Sequence, residues 1–220
     1  MLFERLIVHH DRSDRSAALN MAIDETLLEQ ANLPTLRLYH WDHPAISFGY
    51  FGKFDALTEA MRACDVVRRW TGGGIVPHGE DLTYSVVTPM NNAAAALSPP
   101  AIYKALHSAI RAALEHTGRK AELAGESAPK ISETCFANPV RHDLLADGRK
   151  IAGAAQRRTR SGFLHQGSIQ LPDLSASFRA RFAAALAPQI DEMQIPTGIL
   201  QRASQLAVEK YGTQKWLHRR

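Results

Sequence analysis

The stretch GRKIAGAAQRRTRSGFLHQGS, residues 148–168, predicts a pair of neighbouring strands. Asp147 and Gly148 form a strong two-residue hairpin signal, because both residue types tolerate positive φ. Strands are therefore expected at 142–146 and 149–156, with a further partner at 163–171. Simple alternation along 149–156 assigns the side chains to two faces. One face carries Lys150, Ala152, Ala154 and Gln156, and the other carries Ile151, Gly153, Ala155 and Arg157.

Two features of the strand at 149–156 mark it as a candidate site. Gly153, Ala154 and Ala155 are poor strand formers, and three small residues in a row indicate that a ligand or another chain segment approaches closely. Lys150 lies just inside the same strand. A solvated lysine beside a turn is one interpretation. The other is a site lysine that acts on a substrate lying along the small residues.

A second candidate element is rich in glycine. The strand predicted at 66–70 runs into the turn Thr71, Gly72, Gly73 and Gly74. Such a turn brings bare backbone N–H groups against a carboxylate, phosphate or carbonyl oxygen, and Arg68 and Arg69 supply matching charge. Neither GxGxxG between strand and helix nor GxxxxGK[ST] is present, so a Rossmann fingerprint and a P-loop are both unsupported. A flexible glycine hairpin is the alternative.

The two cysteines have different sequence contexts. Cys135 lies in a segment rich in Gly, Pro and Ser, GESAPKISETCFANPV (125–140), which predicts a loop. A reactive thiol needs exposure and nearby positive charge, which Lys150 supplies if the fold brings the two together. Cys64 enters a strand after an amphipathic segment, which predicts a buried, inert thiol. Because no CxxC and no signal peptide are present, the sequence favours a reducing compartment, the cytoplasm, over a disulfide or zinc framework.

The overall composition indicates one globular α/β domain. The chain has 220 residues, 45% of them hydrophobic, and no apolar run near the ~20 residues that a membrane helix needs. Among the ten histidines, His9-His10 and His40/His43 lack a second pair at ligand spacing, so no metal site is expected. Further strands are predicted near 3–9, 35–40, 45–49, 82–88 and 119–123. Helices are predicted near 15–30, 53–63, 101–117, 175–186 and 203–211.

Seven segments together resemble the lipoate/octanoate branch of the biotin–lipoate protein ligase superfamily. They follow the family's order: NMAIDETLL (20–28), RRWTGGG (68–74), DLTYSV (81–86), CFANP (135–139), GRKIAGAAQRR (148–158), LHQGS (164–168) and EKYGTQKW (209–216). The resemblance implies an α+β fold, a mixed and mostly antiparallel sheet flanked by helices. It also implies a single catalytic domain over 1–220 without the C-terminal accessory domain of classical ligases.

The resemblance also implies the reaction and its site. LipM-type octanoyltransferases are most similar, and their cysteine context resembles that of Cys135, which implies a thioester intermediate with Lys150 polarising the acyl carbonyl. Replacing Lys150 is then expected to lower transfer by roughly 10²–10³-fold, with little loss of stability for a lysine at a turn. The implied substrate-binding residues are Arg69, Thr71, Gly72, Gly73, Gly74, His78, Gly153, Ala154, Ala155, His165 and Gly167. For His78 and His165, pocket-lining or hydrogen-bonding roles are favoured over proton transfer.

Two alternatives stay open within and beyond this family. A lipoate–protein ligase A would form lipoyl-AMP with ATP and Mg²⁺, and the third glycine, Gly74, is typical of that ligase. A transferase would need no cofactor, because its thioester donor is already activated. A non-catalytic acyl-binding subunit is the third possibility, against which the presence of both Cys135 and Lys150 argues.

The charge distribution suggests the partners. The net charge is +4, and basic residues cluster at Arg157, Arg158, Arg160 and the tail His218-Arg219-Arg220. No nucleic-acid-binding signature accompanies them. Acidic proteins fit better, and the resemblance implies acyl carrier protein as donor and a lipoyl domain or glycine-cleavage H protein as acceptor. An ordinary solvated basic surface is the alternative.

Overall fold

The fold is described from a computed structural model that covers residues 1–129, 132 and 134–219. The strands are β1 Arg5–His10, β2 Thr35–Tyr39, β3 Ala45–Phe48, β4 Asp65–Arg68, β5 Val76–His78, β6 Leu82–Pro89, β7 Glu122–Leu123, β8 Leu144–Ala146, β9 Arg149–Thr159, β10 Gly162–Ile169 and β11 Gln189–Glu192. The helices are α1 Ala17–Gln30, α2 Glu59–Arg62, α3 Pro99–His116, α4 Ala176–Leu186, α5 Thr197–Leu206 and α6 Gln214–Leu217.

Eight of the strands form one mixed sheet, in the order β11-β1-β2-β6-β10-β9-β8-β7. Only the two pairings of β1, with β11 and with β2, are parallel, and the other five are antiparallel. Helices α3 and α4 pack together over one face of this sheet, and α1 and α5 pack together over the other. The implied fold, a mostly antiparallel sheet flanked by helices, is confirmed.

A second, smaller sheet was not predicted. It has three strands in the order β4-β3-β5, and its apolar side is built on Ile46, Phe48, Leu57 and Ile75. The sequence predicts β3 and β4 as strands but contains no signal that separates them from the main sheet. Strand β5 was missed because Val76–His78 is only three residues long with a proline at its centre.

A β-bulge in β9 changes which side chains share a face. Leu144 pairs with Ala152 but Leu145 pairs with Lys150, so Ile151 is an extra residue with no partner on β8. One inserted residue reverses the alternation before it. Lys150 therefore lies on the same face as Gly153, and its assignment to the face of Ala152 was wrong. The hairpin turn itself is confirmed, because Asp147 and Gly148 both have positive φ, 49° and 72°.

Two predicted helices have different bounds. The helix expected at 53–63 is interrupted, with a 3-10 turn at Phe54–Ala56 followed by α2, because the Thr58 hydroxyl accepts from Met61 N–H and starts a new helix. The helix expected at 203–211 already begins at Thr197, directly after Pro196, and continues past Leu206 as a π-helical turn, Ala207–Tyr211. The strand β11 and the helix α6 were not predicted.

Candidate active site

A cavity lies between the two sheets, beside the turn that carries Cys135. Much of its wall is apolar, from side chains such as Met21, Trp41 and Val76. Eight of the predicted site residues line it: Arg69, Gly73, His78, Cys135, Gly153, Ala154, Ala155 and Gly167. An apolar pocket with a few convergent polar groups is the usual form of a small-molecule site.

Cys135 lines this cavity, and Lys150, which does not line it, contacts Cys135 from behind the wall. Cys135 begins a 3-10 turn, and its N–H donates to the carbonyl of Ile75 at 2.9 Å. The Nζ of Lys150 lies 3.3 Å from Cys135 Sγ and 3.1 Å from the Cys135 carbonyl oxygen. The thiol is half-buried and faces the cavity. An ammonium group at this distance stabilises a thiolate, the form of cysteine that acts as a nucleophile.

Lys150 is not a solvated turn lysine. Its side chain is 2% exposed, and its Nζ lies 2.7 Å from Asp143 Oδ2, whose own side chain is 0% exposed. Removing Lys150 would leave a buried carboxylate without its counter-ion, which costs several kcal/mol. The expectation of little stability loss on replacing Lys150 is therefore corrected.

Gly153 makes room for the lysine side chain. A Cβ built on Gly153 would lie 2.6 Å from Lys150 Nζ and would overlap its Cε. The close approach that the run of small residues predicts thus comes, at Gly153, from Lys150 itself. Together the bulge at Ile151 and the missing side chain at Gly153 direct the ammonium group toward Cys135.

Arg69 is the second buried cation of the site, and unlike Lys150 it lines the cavity. Its Nη1 donates to Ser47 Oγ at 2.7 Å, and its Nη2 donates to the carbonyls of Gly72 and Gly74 at 3.0 and 2.8 Å. Among the described residues, no carboxylate lies within ion-pair distance of it. Burial lowers the pKa of Arg69 to about 10, and the nearby Cys135 charge acts in the opposite direction. An unneutralised guanidinium favours a ligand with a negative or strongly polarised oxygen.

The glycine turn packs tightly behind Arg69. Gly73 has a φ of 89°, and a Cβ there would lie 3.2 Å from Arg69 Nη2 and 3.4 Å from Ala155 Cβ. A Cβ on Gly49 would lie 2.6 Å from the carbonyl carbon of Gly72, so Gly49 is also required for this packing. Gly72, Gly74 and Thr71 do not line the cavity. The glycine carbonyls, rather than N–H groups, are the atoms that bind the arginine.

His78 joins a polar chain that ends at Arg69. Its Nδ1 donates to Asp81 Oδ2 at 2.9 Å, because an ionised carboxylate only accepts, and its Nε2 accepts from Ser47 Oγ at 2.6 Å. Burial alone would raise the pKa of Asp81, but hydrogen bonds from His78, Ser168 and Thr83 outweigh it and hold that pKa below its usual value. The chain Asp81–His78–Ser47 thereby fixes the position of the Arg69 guanidinium.

His165 lies away from the cavity. It is fully buried on the α3 side of the sheet, where its ring contacts Tyr84 and Tyr103, and burial keeps its pKa well below the usual value. Its neighbour Gln166 does line the cavity, with Nε2 donating to Asp24 at 2.8 Å and Oε1 accepting from Thr71 at 2.8 Å. Thr71 therefore supports the cavity wall from behind.

Comparison with known proteins identifies the family. Residues 16–210 match the model of the lipoyl protein ligase A/B catalytic domain. The chain belongs to this family. It is 39% identical over 170 residues to octanoyltransferase LipM of Oceanobacillus iheyensis and 33% identical over 174 residues to that of Brevibacillus brevis. These alignments cover 73% and 71% of the chain but only 62% of each relative, so the chain spans about three fifths of their length.

Solved structures show the same fold. A bipartite lipoate protein ligase from Thermoplasma acidophilum superposes with a TM-score of 0.73 at 20% identity, over 100% of this chain and 99% of that one. A lipoate-protein ligase A bound with ATP gives a TM-score of 0.75 at 21% identity, over 99% of both chains. At this identity the similarity establishes the architecture alone.

Several residues of the site were missed in the sequence. Ser47, Asp81, Asp143 and Tyr103 were not predicted, because each acts through a partner that is distant in sequence or carried by another element. Asp81 had one available signal, its position three residues after His78. Cys64 is half-buried rather than buried, with its thiol near the carbonyl of Ala60.

The two basic clusters of the sequence converge in part. The guanidinium carbons of Arg157 and Arg219 lie 4.7 and 4.2 Å from the ring centre of Tyr50. Arg158 instead donates to the Ala95 carbonyl at 2.7 Å, and Arg220 lies outside the described residues. Across the described ranges, none of the helices has the length and apolar character of a membrane span.

Proposed function

We propose that this chain transfers an octanoyl group from acyl carrier protein to a lysine of a lipoyl domain or glycine-cleavage H protein, through a thioester on Cys135. The observation that carries this proposal is the 3.3 Å contact between Lys150 Nζ and Cys135 Sγ at the end of an apolar cavity. The similarity to octanoyltransferases supports it. Covalent catalysis of this kind divides one acyl transfer into two easier steps.

Lys150 donates a proton in the first step of this reaction and regains one in the second. In the first step the Cys135 thiolate attacks the donor carbonyl, a new C–S bond forms, the donor C–S bond breaks, and Lys150 protonates the leaving thiolate. In the second step the neutral amine of the acceptor lysine attacks, the C–N bond forms, the bond to Cys135 breaks, and Lys150 takes up the amine proton. The Arg69 guanidinium, which lines the same cavity as Cys135, would stabilise the oxyanion of each tetrahedral intermediate. No ATP and no metal are required.

The charge distribution supports the proposed partners. Arg157 and Arg219 converge on Tyr50, next to Trp70 and the glycine turn, and Arg157 is also 4.5 Å from the Trp70 ring centre. Among the described residues, neither arginine has a carboxylate within ion-pair distance. Guanidinium groups without counter-ions attract acidic protein surfaces, which favours acidic carrier and acceptor domains.

Intact-mass measurement tests the proposal. Octanoyl-acyl carrier protein in buffer without ATP or magnesium should add one octanoyl group to the parent protein. Cys135→Ala should form no adduct, and the matched control Cys64→Ala should form it normally. Full-rate labelling of a lipoyl domain by Cys135→Ala would show that the thioester mechanism is wrong.

A lipoate–protein ligase is the second candidate, favoured by the unneutralised Arg69 beside the triple glycine. In that reaction Arg69 and Lys150 would bind the phosphate of an acyl-adenylate formed from ATP with Mg²⁺. Labelling from free lipoate or octanoate that requires ATP and survives Cys135→Ala would establish the ligase. Labelling from the thioester donor alone would exclude it as the main activity.

A further inference from the structure

We propose that Asp143 is a positioning residue for acyl transfer, because it holds the Lys150 ammonium against the Cys135 thiol and is itself held by the Tyr103 hydroxyl. This inference rests on the proposed function of Cys135 and Lys150. Asp143 does not line the cavity. Of the groups that Asp143 binds, the Lys150 ammonium is the one in contact with the Cys135 thiol, so we expect the effect of Asp143 on the reaction to act through Lys150.

The three N–H bonds of the lysine ammonium are all accounted for. Their acceptors are Asp143 Oδ2, the Cys135 carbonyl oxygen and Cys135 Sγ, which lie 2.7, 3.1 and 3.3 Å from Lys150 Nζ. An ammonium group has three donors and no acceptor, and it rotates freely unless its partners fix it. With the carboxylate and the carbonyl occupied, the third N–H is directed at the sulfur.

The carboxylate of Asp143 is fixed from three directions. Its Oδ2 accepts from Lys150 and from the Val140 N–H at 2.7 Å, while Oδ1 accepts from the Tyr103 hydroxyl. That hydroxyl in turn accepts from Ala154 N–H at 2.9 Å, on the strand that carries Lys150. Helix α3, the loop before β8 and strand β9 thus meet at one carboxylate.

The hydroxyl of Tyr103 keeps its proton and so remains a donor. Burial, together with the charge of Asp143 and the hydrogen bond to it, raises the pKa of Tyr103 well above its usual value. A protonated hydroxyl always presents its hydrogen to the carboxylate, which leaves Asp143 as a fixed negative charge beside Lys150. Only Lys150 then exchanges a proton with the substrates.

A double-mutant cycle on the full chain tests this role. The four proteins are the parent, Asp143→Asn, Lys150→Met and the double variant, and the readout is the rate of octanoyl-enzyme formation against donor concentration. We expect Asp143→Asn to lower the maximal rate by about 10²-fold, the cost of a small misplacement of a catalytic group. The half-saturating donor concentration should stay unchanged, because Asp143 does not touch the cavity.

Coupling through Lys150 gives the decisive pattern. In the Lys150→Met background, Asp143→Asn should slow the reaction no further. The thermal unfolding midpoint of the double variant should be higher than that of Lys150→Met alone, because the unpaired buried charge of Asp143 is removed. Tyr103→Phe should slow acylation less than Asp143→Asn. The matched control Asp147→Asn, an exposed carboxylate at the adjoining hairpin turn, should behave as the parent.

The outcomes separate this inference from the proposed function. Additive rate losses in the double variant, or parental rates in Asp143→Asn, would overturn the positioning role. Alkylation of Cys135 by iodoacetamide provides an independent readout that needs no acyl donor. The alkylation rate of Asp143→Asn should differ from that of the parent, whereas the rate of the double variant should equal that of Lys150→Met. If the parent forms no octanoyl-enzyme while alkylation shows this coupling, the proposed function fails and the positioning of Lys150 at the thiol stands.

Discussion

Two buried cations lie at this site, and their surroundings differ. Arg69 lines the cavity, whereas Lys150 lies behind the lining residue Cys135. Lys150 forms an ion pair with the fully buried Asp143, and its remaining hydrogens are directed at Cys135. Within the part of the chain that the structure describes, Arg69 donates only to neutral oxygens, those of Ser47, Gly72 and Gly74. The charge of Lys150 is largely neutralised by the protein and its position is fixed. The charge of Arg69 is not neutralised within the described residues.

This difference suggests that the two cations have different roles. A cation held by a carboxylate can give up and regain a proton at a fixed place, which suits the group beside a nucleophile. A guanidinium stays charged under ordinary conditions and is better suited to binding an oxyanion. The four predictions below test this contrast.

The largest expected effect is on stability. Lys150→Met should lower the free energy of unfolding by about 3–5 kcal/mol, because it leaves the buried Asp143 carboxylate unpaired. Arg69→Met should cost only about 1–3 kcal/mol, since it leaves neutral acceptors without donors. Urea unfolding at neutral pH measures both. Equal losses for the two variants would contradict the contrast.

The next effect isolates the geometry of Lys150 without removing it. Gly153→Ala places a Cβ in the space of the lysine side chain and should lower octanoyl transfer by about 10²-fold. Gly72→Ala is the matched control, because a Cβ at Gly72 meets no atom within 4 Å. Comparison of single-turnover rates for the two variants checks this. Similar rates for both would show that the position of Lys150 is not critical.

A third test concerns His107, a buried residue whose pKa is influenced by the charges of Asp143 and Lys150. His107 is fully buried, and burial lowers its pKa to about 4. The unfolded chain therefore binds a proton at this site as the pH falls below about 6.5, while the folded chain does not. Stability should fall by roughly 2 kcal/mol between pH 8 and pH 5 from this site.

His107→Asn keeps a donor for the His142 carbonyl, which His107 Nδ1 contacts at 2.7 Å. This variant should remove that part of the pH dependence. Unfolding curves at both pH values give the comparison. A parent and variant with the same pH dependence would show that the pKa of His107 is the same in the folded and the unfolded chain.

The smallest effect concerns the shape of the Arg69 group. Arg69→Lys keeps the charge but loses the planar fork that contacts Ser47, Gly72 and Gly74 together. We expect the half-saturating donor concentration to rise by about 10-fold, equivalent to about 1.4 kcal/mol of binding. Steady-state acylation kinetics measure it. An unchanged value would mean that charge alone matters at this position.

The hairpin, the family and the two candidate catalytic side chains were all predictable from sequence. Asp147-Gly148 marks the turn because few residue pairs adopt two successive positive φ angles. The ordered motifs identify the family because they span most of the chain. Cys135 and Lys150 were recognised in this way. The sequence did not predict their contact at 3.3 Å, but the role suggested for Lys150 beside the thiol required it.

The face, burial and partners of Lys150 depend on the tertiary structure. Alternation alone gave the wrong face, because the bulge at Ile151 is defined by pairing with β8 and leaves no local signal. Asp143 and Tyr103 reach the lysine from a loop and from α3, and pairing of this kind depends on how the layers pack. Local sequence thus determined most of the strands, the turn and the chemical groups, whereas long-range packing decided which cation has a carboxylate partner among the described residues and which does not.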